Sequence, residues 1–352
     1  MAKYNVIGVM SGTSLDGVDV VYCTLSLDKI WSFTIHLAST VPYSLAWKAK
    51  LSNLVAMSTD ELQSIDKEYT HFLSEILLNF IKKHAIEDID LICSHGHTAL
   101  HQPDKGITYQ IGNRKELAGR LGYTVVCDFR VQDVELGGQG APLVPMGDQL
   151  LFNAYDYCLN LGGFANISYQ KHGERIAYDI CPVNIVLNVL VSELGLDFDD
   201  EGKMASTGQI NPVLLDKLNQ LPFYKQIPPK SLGLEWVKAN IIPLLQAYNL
   251  SIPDKLRTFV EHIAIMISKE VTGGKSLLIT GGGAYNIFLI DNIKAKASNT
   301  EIVIPEDTVI EYKEALIFAL LGVLRYRNEV NVLASVTGAR TNHSSGKVFL
   351  IS

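Results

Sequence analysis

Alternating apolar and polar positions predict three extended segments at the start of the chain, followed by a long helix. The segments are Asn5–Met10, Val18–Leu25 and Trp31–Ala38, which are rich in β-branched and aromatic residues. From about Asp60 the apolar positions recur at steps of three and four residues, the period of one helix face. These positions are Leu62, Ile65, Tyr69, Phe72, Ile76 and Phe80. Thr59 and Asp60 are capping residue types, so we expect the helix to begin there.

The second half of the chain repeats this order of elements. In the first half, the remaining predictions are strands at Asp90–Ser94, Thr108–Ile111 and Thr124–Cys127, and a helix at Lys115–Leu121. A helix starting at Ala141-Pro142 then leads into strands at Tyr157–Leu161, Asn166–Tyr169 and Ile176–Asp179, helices from Val183, Asn211, Leu234 and Pro253, the strand Ser276–Thr280, a helix near Ile287–Ala297, the strand Glu301–Ile304 and a helix at Tyr312–Tyr326. This repetition predicts a duplicated α/β fold. We place the first domain at residues 1–130 together with 328–352, and the second at 131–327.

Length and composition narrow the class of protein. A chain of 352 residues with 47% apolar and 19% charged residues suits two globular domains. Its net charge of -7 argues against nucleic acid or an anionic membrane as a partner. The N-terminus shows no signal-peptide pattern and no apolar run is long enough for a membrane span. The cysteines form no CxxC pair, so we expect buried, reduced thiols in a cytoplasmic protein.

The segment Gly8–Asp19 lies between two predicted strands and therefore forms a hairpin tip. Gly12 and Gly17 permit tight turns, so that free backbone amides can face phosphate oxygens. Hydroxyl groups come from Ser11, Thr13 and Ser14. Asp16 and Asp19 are oxygen ligands of the kind that Mg²⁺ accepts. The pattern alone is equally compatible with an ordinary polar hairpin.

Two further glycine motifs stand in the second half. Gly281–Gly283 lead from a strand into a helix, where backbone can approach a phosphate or a flat ligand; a plain turn is the alternative. Gly162 and Gly163 repeat the strand–glycine–strand pattern of the first hairpin, which indicates a second phosphate loop. Asp179 ends a predicted strand, a natural position for a general base.

Three histidines and an arginine form the last candidate group. His95, His97 and His101 suggest a zinc site, structural histidines or the lining of a sugar pocket, and no cysteine or acidic cluster completes a zinc ligand set. Arg130 either binds a carboxylate or forms a surface ion pair. The glycine-rich segment 137–142 suits a hinge or a ligand cleft.

Together these motifs resemble the anhydro-N-acetylmuramic acid kinase family, within the superfamily of hexokinases, actin and Hsp70 ATPase domains. The matching stretches are GVMSGTSLDGVD, SHGHT, QIGN, DFRVQDVELGGQGAPLVP, LNLGGFANIS, YDICPVN, GGGAYN and EALIFALL, in family order over nearly the whole chain. The resemblance implies duplicated actin-like ATPase domains, of ribonuclease H-like fold, flanking an inter-domain cleft. It also implies an enzyme that opens the 1,6-anhydro bond of its sugar with water and phosphorylates O6 with ATP and Mg²⁺.

The resemblance assigns roles to residues of this chain. Asp179 becomes the base that activates water, Thr98, Arg130 and Asn184 bind the sugar, and Asp16 and Glu314 hold the metal. The nucleotide set comprises Gly12, Thr13, Ser14, Leu15, Asp16, Gly17, Val18, Asp19, Gly162, Gly163, Asn166, Gly281, Gly282, Gly283 and Asn286. The expected partner is a small sugar, without nucleic acid or membrane, and the expected assembly is a homodimer.

One departure from the family pattern concerns the loop after the base. The family resembles D-x-G-P-G-N there, whereas this chain has Cys181 and Val183 in place of the two glycines. A related kinase for a smaller anhydrosugar such as levoglucosan is therefore an alternative. A chaperone-like ATPase shares the expected fold, but the motifs around Asp179 favour the kinase.

Overall fold

The structure is a computed structural model that describes residues 2–272 and 275–351. The strands are β1 Ala2–Ser11, β2 Gly17–Leu27, β3 Trp31–Pro42, β4 Leu91–Gln102, β5 Ile107–Ile111, β6 Val125–Cys127, β7 Tyr157–Leu161, β8 Phe164–Lys171, β9 Glu174–Pro182, β10 Ser276–Thr280, β11 Glu301–Val303 and β12 Lys347–Phe349. The α-helices are α1 Leu45–Ser52, α2 Thr59–Lys83, α3 Glu116–Leu121, α4 Val131–Glu135, α5 Val144–Leu151, α6 Asn184–Ser192, α7 Lys203–Thr207, α8 Pro212–Asn219, α9 Leu234–Trp236, α10 Ile242–Gln246, α11 Ile252–Glu270, α12 Ile287–Lys296, α13 Asp307–Tyr326 and α14 Ala334–Thr337. Short 3₁₀ turns lie at Leu54–Ala56, Pro103–Lys105, Asp200–Gly202, Pro222–Lys225 and Gly282–Tyr285, and a π-helical turn at Val237–Ile241.

The chain divides into two compact units. The first comprises Met1–Leu151 and Tyr312–Ser352, and the second Phe152–Glu311. These limits differ from the predicted boundaries at 130 and 328, because α4, α5 and most of α13 belong to the first unit. In α5, Gly147 lies so close to Ile317 of α13 that a Cβ atom would stand 2.4 Å from that side chain. Packing of this kind, rather than the glycine-rich segment, decides where the first unit ends.

The first unit is built on a mixed sheet with the order β12-β6-β4-β1-β2-β3, and β5 pairs with β4. β1 runs antiparallel to β2 and parallel to β4. On one face Ile7 and Val9 of β1 belong to the core cluster that includes α2. On the other face Gly8 approaches α13 so closely that a Cβ atom would lie 2.1 Å from the carbonyl oxygen of Ala315. The sheet is therefore covered by helices on both faces.

The second unit repeats this topology. Its sheet has the order β11-β10-β7-β8-β9. The first strand again pairs antiparallel with the second and parallel with the fourth, here β7 with β8 and with β10. One face of this sheet packs against α6, α11 and α12. The common order, 5-4-1-2-3 within each unit, confirms the predicted duplication of an actin-like α/β fold.

Helix ends follow local chemistry that the sequence revealed only in part. α2 begins one residue after Ser58, whose side chain accepts from the amide of Glu61, and the Glu61 carboxylate accepts from the amide of Ser58. Ser58 is thus the cap, rather than Thr59 or Asp60. The helix predicted at Ala141-Pro142 was wrong in its start, since α5 begins at Val144.

The core encloses the cysteines. Cys23, Cys93, Cys127, Cys158 and Cys181 are free thiols and all are buried, as predicted. Burial raises the pKa of the Cys23 thiol to about 12, which keeps it protonated and unreactive. Among the helices of residues 2–272 and 275–351, none has the length and apolar character needed to cross a membrane.

Candidate active site

The tip of the first hairpin is an open loop between β1 and β2. Leu15 adopts φ 62°, a left-handed conformation that bends the loop back so that its amide donates to the carbonyl of Gly12 at 3.4 Å. Thr13 and Ser14 are exposed, and their amides donate to no partner in the described part of the chain. A Cβ atom at Gly12 would meet only Ser14. Free amides and hydroxyl groups on such a loop suit phosphate oxygens.

A buried chain of hydroxyl groups supports this loop from below. The Ser11 hydroxyl shares hydrogen bonds with the Tyr43 hydroxyl at 2.6 Å and with Nδ1 of His97 at 2.8 Å. The Tyr43 hydroxyl also bonds to the Tyr69 hydroxyl at 2.6 Å, and the Tyr43 amide donates to the carbonyl of Asp16 at 3.3 Å. Burial lowers the pKa of His97 to about 4, so its ring is neutral. Both ends of the loop are therefore fixed, by residues that the motif did not reveal as loop supports.

Three residues of the predicted nucleotide loop, Gly17, Val18 and Asp19, lie in the sheet instead of at its tip. Gly17 begins β2, where a Cβ atom would stand 2.4 Å from the carbonyl oxygen of Val41. Val18 is fully buried in the core. Its side chain is not available to a ligand, and the glycine at 17 is explained by the close approach of β3.

Three acidic residues of the first unit, Asp16, Asp19 and Glu314, are candidates for a metal site. Asp19 accepts a hydrogen bond from the Thr40 hydroxyl at 2.6 Å. Desolvation raises the pKa of Glu314 on α13, although its side chain remains accessible to solvent; Arg130 and Lys313 oppose the shift and Asp19 adds to it. Asp16 lies exposed at the hairpin tip. Of the two acidic residues in the hairpin motif, Asp19 is the one whose charge adds to the raised pKa of Glu314.

The chemistry of these carboxylates decides which metal they could bind. In residues 2–272 and 275–351 there is no group of three or more His, Cys, Asp or Glu side chains that could hold a metal ion. Two carboxylates nevertheless suit Mg²⁺, which keeps several waters and is commonly bound together with substrate phosphates. The carboxylates of Asp19 and Glu314 offer oxygen ligands of this kind.

Arg130 is half-buried and makes ordered hydrogen bonds. Its Nε donates to Nε2 of His95 at 2.8 Å, and its Nη1 donates to the carbonyl oxygen of Gly140 at 2.6 Å. Arg130 therefore makes these two hydrogen bonds and not the surface ion pair that was one of the two alternatives from the sequence. Burial lowers the pKa of Arg130 to about 10, so the guanidinium group stays charged at neutral pH.

Thr98 lies on the strand that carries His95. It is half-buried and stands opposite Gln110 in the pairing of β4 with β5. Gln110 is 3% exposed, and its side-chain oxygen has no hydrogen-bond partner in the described part of the chain. A buried acceptor without a partner is costly unless a ligand or water completes it. The QIGN stretch contained this residue, but nothing in its spacing marked Gln110 as a buried polar group opposite Thr98.

In the second unit, Asp179 sits at an irregular point of its sheet. The pairing of β8 with β9 shifts register between Ala165 and Asn166, so that Asn166 stands opposite Asp179. The side-chain amide of Asn166 donates to Oδ1 of Asp179, and the amide of Leu232 donates to Oδ2 at 2.7 Å. Asn160 on β7 extends the row, because its Nδ2 donates to Oδ1 of Asn166 at 3.5 Å. Bulges often redirect a side chain in this way.

The environment of Asp179 sets its basicity. Burial raises the pKa of the carboxyl group, while the hydrogen bonds from Leu232 and Asn166 oppose that shift. A half-buried carboxylate with a raised pKa is a stronger base than a solvated one. The sequence placed Asp179 at a strand end; its two hydrogen-bond donors come from separate segments.

The glycine motifs of the second unit come together around the start of α6. The carbonyl of Gly163 accepts from the amide of Val183 at 2.8 Å, and the carbonyl of Gly162 accepts from the amide of Asn184 at 3.3 Å. The side chain of Asn184 donates to the carbonyl oxygen of Leu161 at 3.3 Å. This hairpin is a closed turn whose carbonyl groups are already engaged.

The three consecutive glycines have different reasons to be glycine. Cβ atoms at Gly281 and Gly283 would lie 2.5 Å from Oδ1 of Asn160 and 2.7 Å from Cβ of Leu161. Gly282 is exposed, and the nearest atom to its Cβ position is Nδ2 of Asn184 at 3.9 Å. Only Gly282 is therefore unexplained by packing and open to a ligand. Asn286 uses its side-chain oxygen to cap α12 through the amide of Leu289.

Comparison with known proteins decides the family. The family model described as anhydro-N-acetylmuramic acid kinase matches residues 4–350. The chain belongs to the anhydro-N-acetylmuramic acid kinase family. Proteins of that name from Sulfurovum sp. and Vibrio cholerae are both 34% identical to it, over 99% and 97% of this chain and 100% and 97% of theirs. The protein of that name from Photobacterium profundum is 30% identical over 99% of each chain.

Solved structures give weaker likenesses. The activator of 2-hydroxyisocaproyl-CoA dehydratase from Clostridium difficile is 14% identical, with a TM-score of 0.46 over 90% of this chain and 94% of that one. A ROK family glucokinase from Streptomyces griseus is 10% identical, with a TM-score of 0.42 over 91% of this chain and 99% of that one. Overlap at this level says nothing about the reaction.

The departure from the anhydro-N-acetylmuramic acid kinase pattern lies in the core. Cys181 and Val183 are both 0% exposed and belong to the hydrophobic cluster of the second unit. The bulk that replaces the two family glycines is therefore taken up by packing against neighbouring apolar side chains. Neither side chain is exposed to a ligand.

Proposed function

We propose that this protein is an ATP-dependent kinase that hydrolyses the 1,6-anhydro bond of 1,6-anhydro-N-acetylmuramic acid and phosphorylates O6. The product is N-acetylmuramic acid 6-phosphate. The observation that carries the proposal is Asp179, a half-buried carboxylate oriented by Asn166 and Leu232 within a chain that matches the kinase family from residue 4 to 350. Attack of water on an acetal carbon needs such a base.

The hydrolytic half of the reaction uses the second unit. Asp179 takes a proton from a water molecule, whose oxygen forms a bond to C1 of the sugar as the bond between C1 and O6 breaks. Asn166 holds one carboxylate oxygen and the Leu232 amide holds the other, so the base is oriented before the sugar arrives. Preorganisation of this kind removes an entropic part of the barrier.

The phosphoryl half transfers the γ-phosphoryl group of ATP to the released O6, with ADP as the leaving group. The open loop Gly12–Asp16 supplies amides and hydroxyl groups for phosphate oxygens, since Thr13 and Ser14 are exposed and their amides are unpaired among the described residues. Asp19 and Glu314 would hold Mg²⁺, which neutralises phosphate charge when bound. Protein residues here position groups rather than form covalent bonds.

The remaining predicted contacts divide between sugar and nucleotide. Thr98 and Arg130 bind the sugar, with Arg130 recognising the lactyl carboxylate that distinguishes muramic acid from glucosamine. Gly282, the exposed member of its motif, is the position where the nucleotide contacts backbone, while Asn286 acts through the helix that it caps. Gly162, Gly163 and Asn184 shape the neighbouring turn.

The cellular setting that we propose follows from the substrate. Anhydromuramic sugars derive from bacterial cell walls, so the reaction belongs to recycling of peptidoglycan in the cytoplasm. As a separate part of the proposal, the active form is a homodimer. The net charge of -7 offers no support for binding nucleic acid.

Turnover tests the proposal directly. The purified protein is incubated with ATP and Mg²⁺ and with either 1,6-anhydro-N-acetylmuramic acid or levoglucosan, and ADP release and product are followed by coupled assay and NMR. We expect ring-opened 6-phosphate from the muramic sugar and much slower turnover of levoglucosan, because Cys181 and Val183 are buried in the core. ADP release at the no-sugar rate, or a preference for levoglucosan, would overturn it.

A further inference from the structure

His95 and Arg130 form a buried pair whose geometry goes beyond the assigned sugar contact. His95 is 2% exposed and its ring packs against Phe318, with centroids 4.6 Å apart. Its Nε2 receives a hydrogen bond from Nε of Arg130 at 2.8 Å. Its Nδ1 lies 2.9 Å from the carbonyl oxygen of Gly96. Both ring nitrogens are thus engaged, one with the backbone and one with the arginine.

The chemistry of the two partners fixes the proton on the ring. An arginine Nε only donates, so Nε2 of His95 has to be the acceptor. The proton is then on Nδ1, where it donates to the carbonyl of Gly96. Burial and the neighbouring Arg130 charge lower the pKa of His95 well below its usual value, which is consistent with a neutral ring. His95 is therefore a fixed acceptor for Arg130 and cannot serve as a cation beside it.

These contacts leave one edge of the guanidinium group available. Nε donates to His95 and Nη1 to the carbonyl oxygen of Gly140 at 2.6 Å, while Nη2 has no partner in the described part of the chain. Asp133 and Glu314 attract Arg130 electrostatically. Asp133 already accepts from the amide of Gly140 at 2.6 Å, so it is partly satisfied. A neutral acceptor at Nε resists rotation of the guanidinium group towards either carboxylate.

We propose that His95 is a positioning residue that sets the orientation of Arg130, so that Nη2 is presented to the carboxylate of the sugar. The inference rests on the proposed function, because it assumes a sugar with a carboxylate. This role differs from lining the sugar pocket in general. His95 would affect the affinity for the carboxylate of the sugar and not the affinity for the sugar ring. The bonds to His95 and Gly140 order the long side chain of Arg130 before the sugar binds. Less conformational entropy is then lost on binding.

The test compares two ligands that differ in the carboxylate. Binding of 1,6-anhydro-N-acetylmuramic acid and of 1,6-anhydro-N-acetylglucosamine, which lacks the lactyl group, is measured by calorimetry for the wild type, His95→Phe and His95→Gln. Phe keeps the ring packing on Phe318 and removes the acceptor, whereas Gln retains an acceptor. For His95→Phe we expect the Kd of the muramic sugar to rise about ten- to a hundredfold, as for a lost charge-assisted contact.

The same variant should leave the Kd of the glucosamine analogue within about twofold. His95→Gln should recover most of the preference for the carboxylate. Adding His95→Phe to Arg130→Gln should have little further effect on the muramic sugar, because residues that act through one another are not additive. His36→Phe, an exposed histidine on β3, is the control for ring replacement in the same unit.

The outcomes separate this inference from the proposed function. The inference about His95 is supported if His95→Phe loses most of the wild-type preference for the muramic sugar, measured as the ratio of the two Kd values. An unchanged ratio overturns it, whether both affinities are retained or both are lost, as does additivity with Arg130→Gln. If His95→Phe does not fold, as judged by circular dichroism, His95→Leu is measured in its place under the same criteria. Wild-type turnover of the muramic sugar tests the proposed function independently of these ratios.

Discussion

The two hairpins that open the two sheets occupy the same topological position and have different surfaces. Between β1 and β2 the chain makes an open loop, Gly12–Asp16, with exposed Thr13 and Ser14 and with amides that find no partner among the described residues. Between β7 and β8 it makes a tight turn at Gly162 and Gly163, whose carbonyl groups accept from the first amides of α6. The two units therefore share their strand topology but differ in the hairpin loop, which is open to a ligand in the first unit and closed in the second.

The acidic groups differ in the same way. In the first unit Asp19 stands at the base of the open loop, accepts a hydrogen bond from Thr40, and through its charge adds to the raised pKa of Glu314. In the second unit the corresponding strand carries the amide Asn166, and the carboxylate is supplied by the next strand at Asp179. An accessible carboxylate pair suits a metal with phosphates, whereas a half-buried carboxylate held by an amide and a backbone N–H suits proton transfer. The contrast predicts different responses to substitution.

Removing the base should give the largest effect. Asp179→Asn keeps the shape of the side chain and removes its basicity, so turnover should fall by about 10²–10⁴. Nucleotide binding should persist, because the open loop belongs to the other unit. Steady-state kinetics with the muramic sugar and calorimetric binding of an ATP analogue check the two halves of the prediction.

The matched control is Asp291→Asn, which changes an exposed carboxylate on α12 of the same unit and should leave turnover unaltered. Near-normal activity of Asp179→Asn would show that the base is elsewhere. Loss of ATP binding together with activity would instead indicate that the second unit had been disrupted as a whole.

The next effect concerns the choice of metal residue in the first unit. Asp19→Asn should raise the Mg²⁺ concentration needed for half-maximal turnover by roughly ten- to a hundredfold, since one of two carboxylates is lost. Asp16→Asn, at the exposed tip, should change it by less than about twofold. The sequence motif offered both Asp16 and Asp19, and the resemblance assigned Asp16 to the metal. The charge of Asp19 adds to the raised pKa of Glu314, which favours Asp19. Equal effects of the two variants, in Mg²⁺ titrations at saturating ATP, would contradict this distinction.

Most strands and helices could be predicted from the sequence because they depend on local patterns of apolar and polar residues. Alternation and helical periodicity gave the bounds of β7 and β10 and the existence of α2. β12 was missed, because three residues near the C-terminus carry too little pattern and are held by antiparallel pairing with β6, far away in the chain. Strand pairing over such a distance leaves no periodic signal in the shorter partner.

The site could be predicted as a set of segments but not as a set of contacts. Glycine motifs located the hairpin tips, yet they did not distinguish the open loop from the closed turn, because carbonyl groups of Gly162 and Gly163 are engaged by a later helix. The supports of Asp179 come from Asn166 through a register shift and from Leu232 through a distant segment. Contacts that depend on the register of paired strands are fixed by tertiary packing, which a single sequence does not display.

A pH profile should sharpen the view of Asp179 as a base held by an amide. Activity requires the ionised carboxylate, so the rate should fall as the pH drops through its raised pKa. The Asn166 amide lowers that pKa by donating to the carboxylate, and Asn166→Ala should therefore move the acid limb of kcat to higher pH. The control is Asn292→Ala, an amide on α12 of the same unit. A limb that moves to lower pH would show that Asn166 does not stabilise the ionised form.

The smallest expected effect lies beneath the open loop. Tyr43→Phe removes the hydroxyl that joins Ser11 to Tyr69 and leaves the ring packing intact. Each buried hydrogen bond contributes about 1 kcal/mol, and both remaining hydroxyl groups would lose a partner, so the free energy of unfolding should fall by roughly 1–3 kcal/mol. Because Ser11 adjoins Gly12, the KM for ATP should also rise modestly, while the KM for the sugar stays the same.

Denaturant titration measures the free energy of unfolding, and steady-state kinetics measures the two KM values. Tyr285→Phe, on the exposed surface of the second unit, is the control. A stability loss without any change in the KM for ATP would assign the hydroxyl chain to the core alone. The closed turn at Gly162 and Gly163 is held by backbone carbonyl groups instead, so side-chain substitution could not loosen it in the same way.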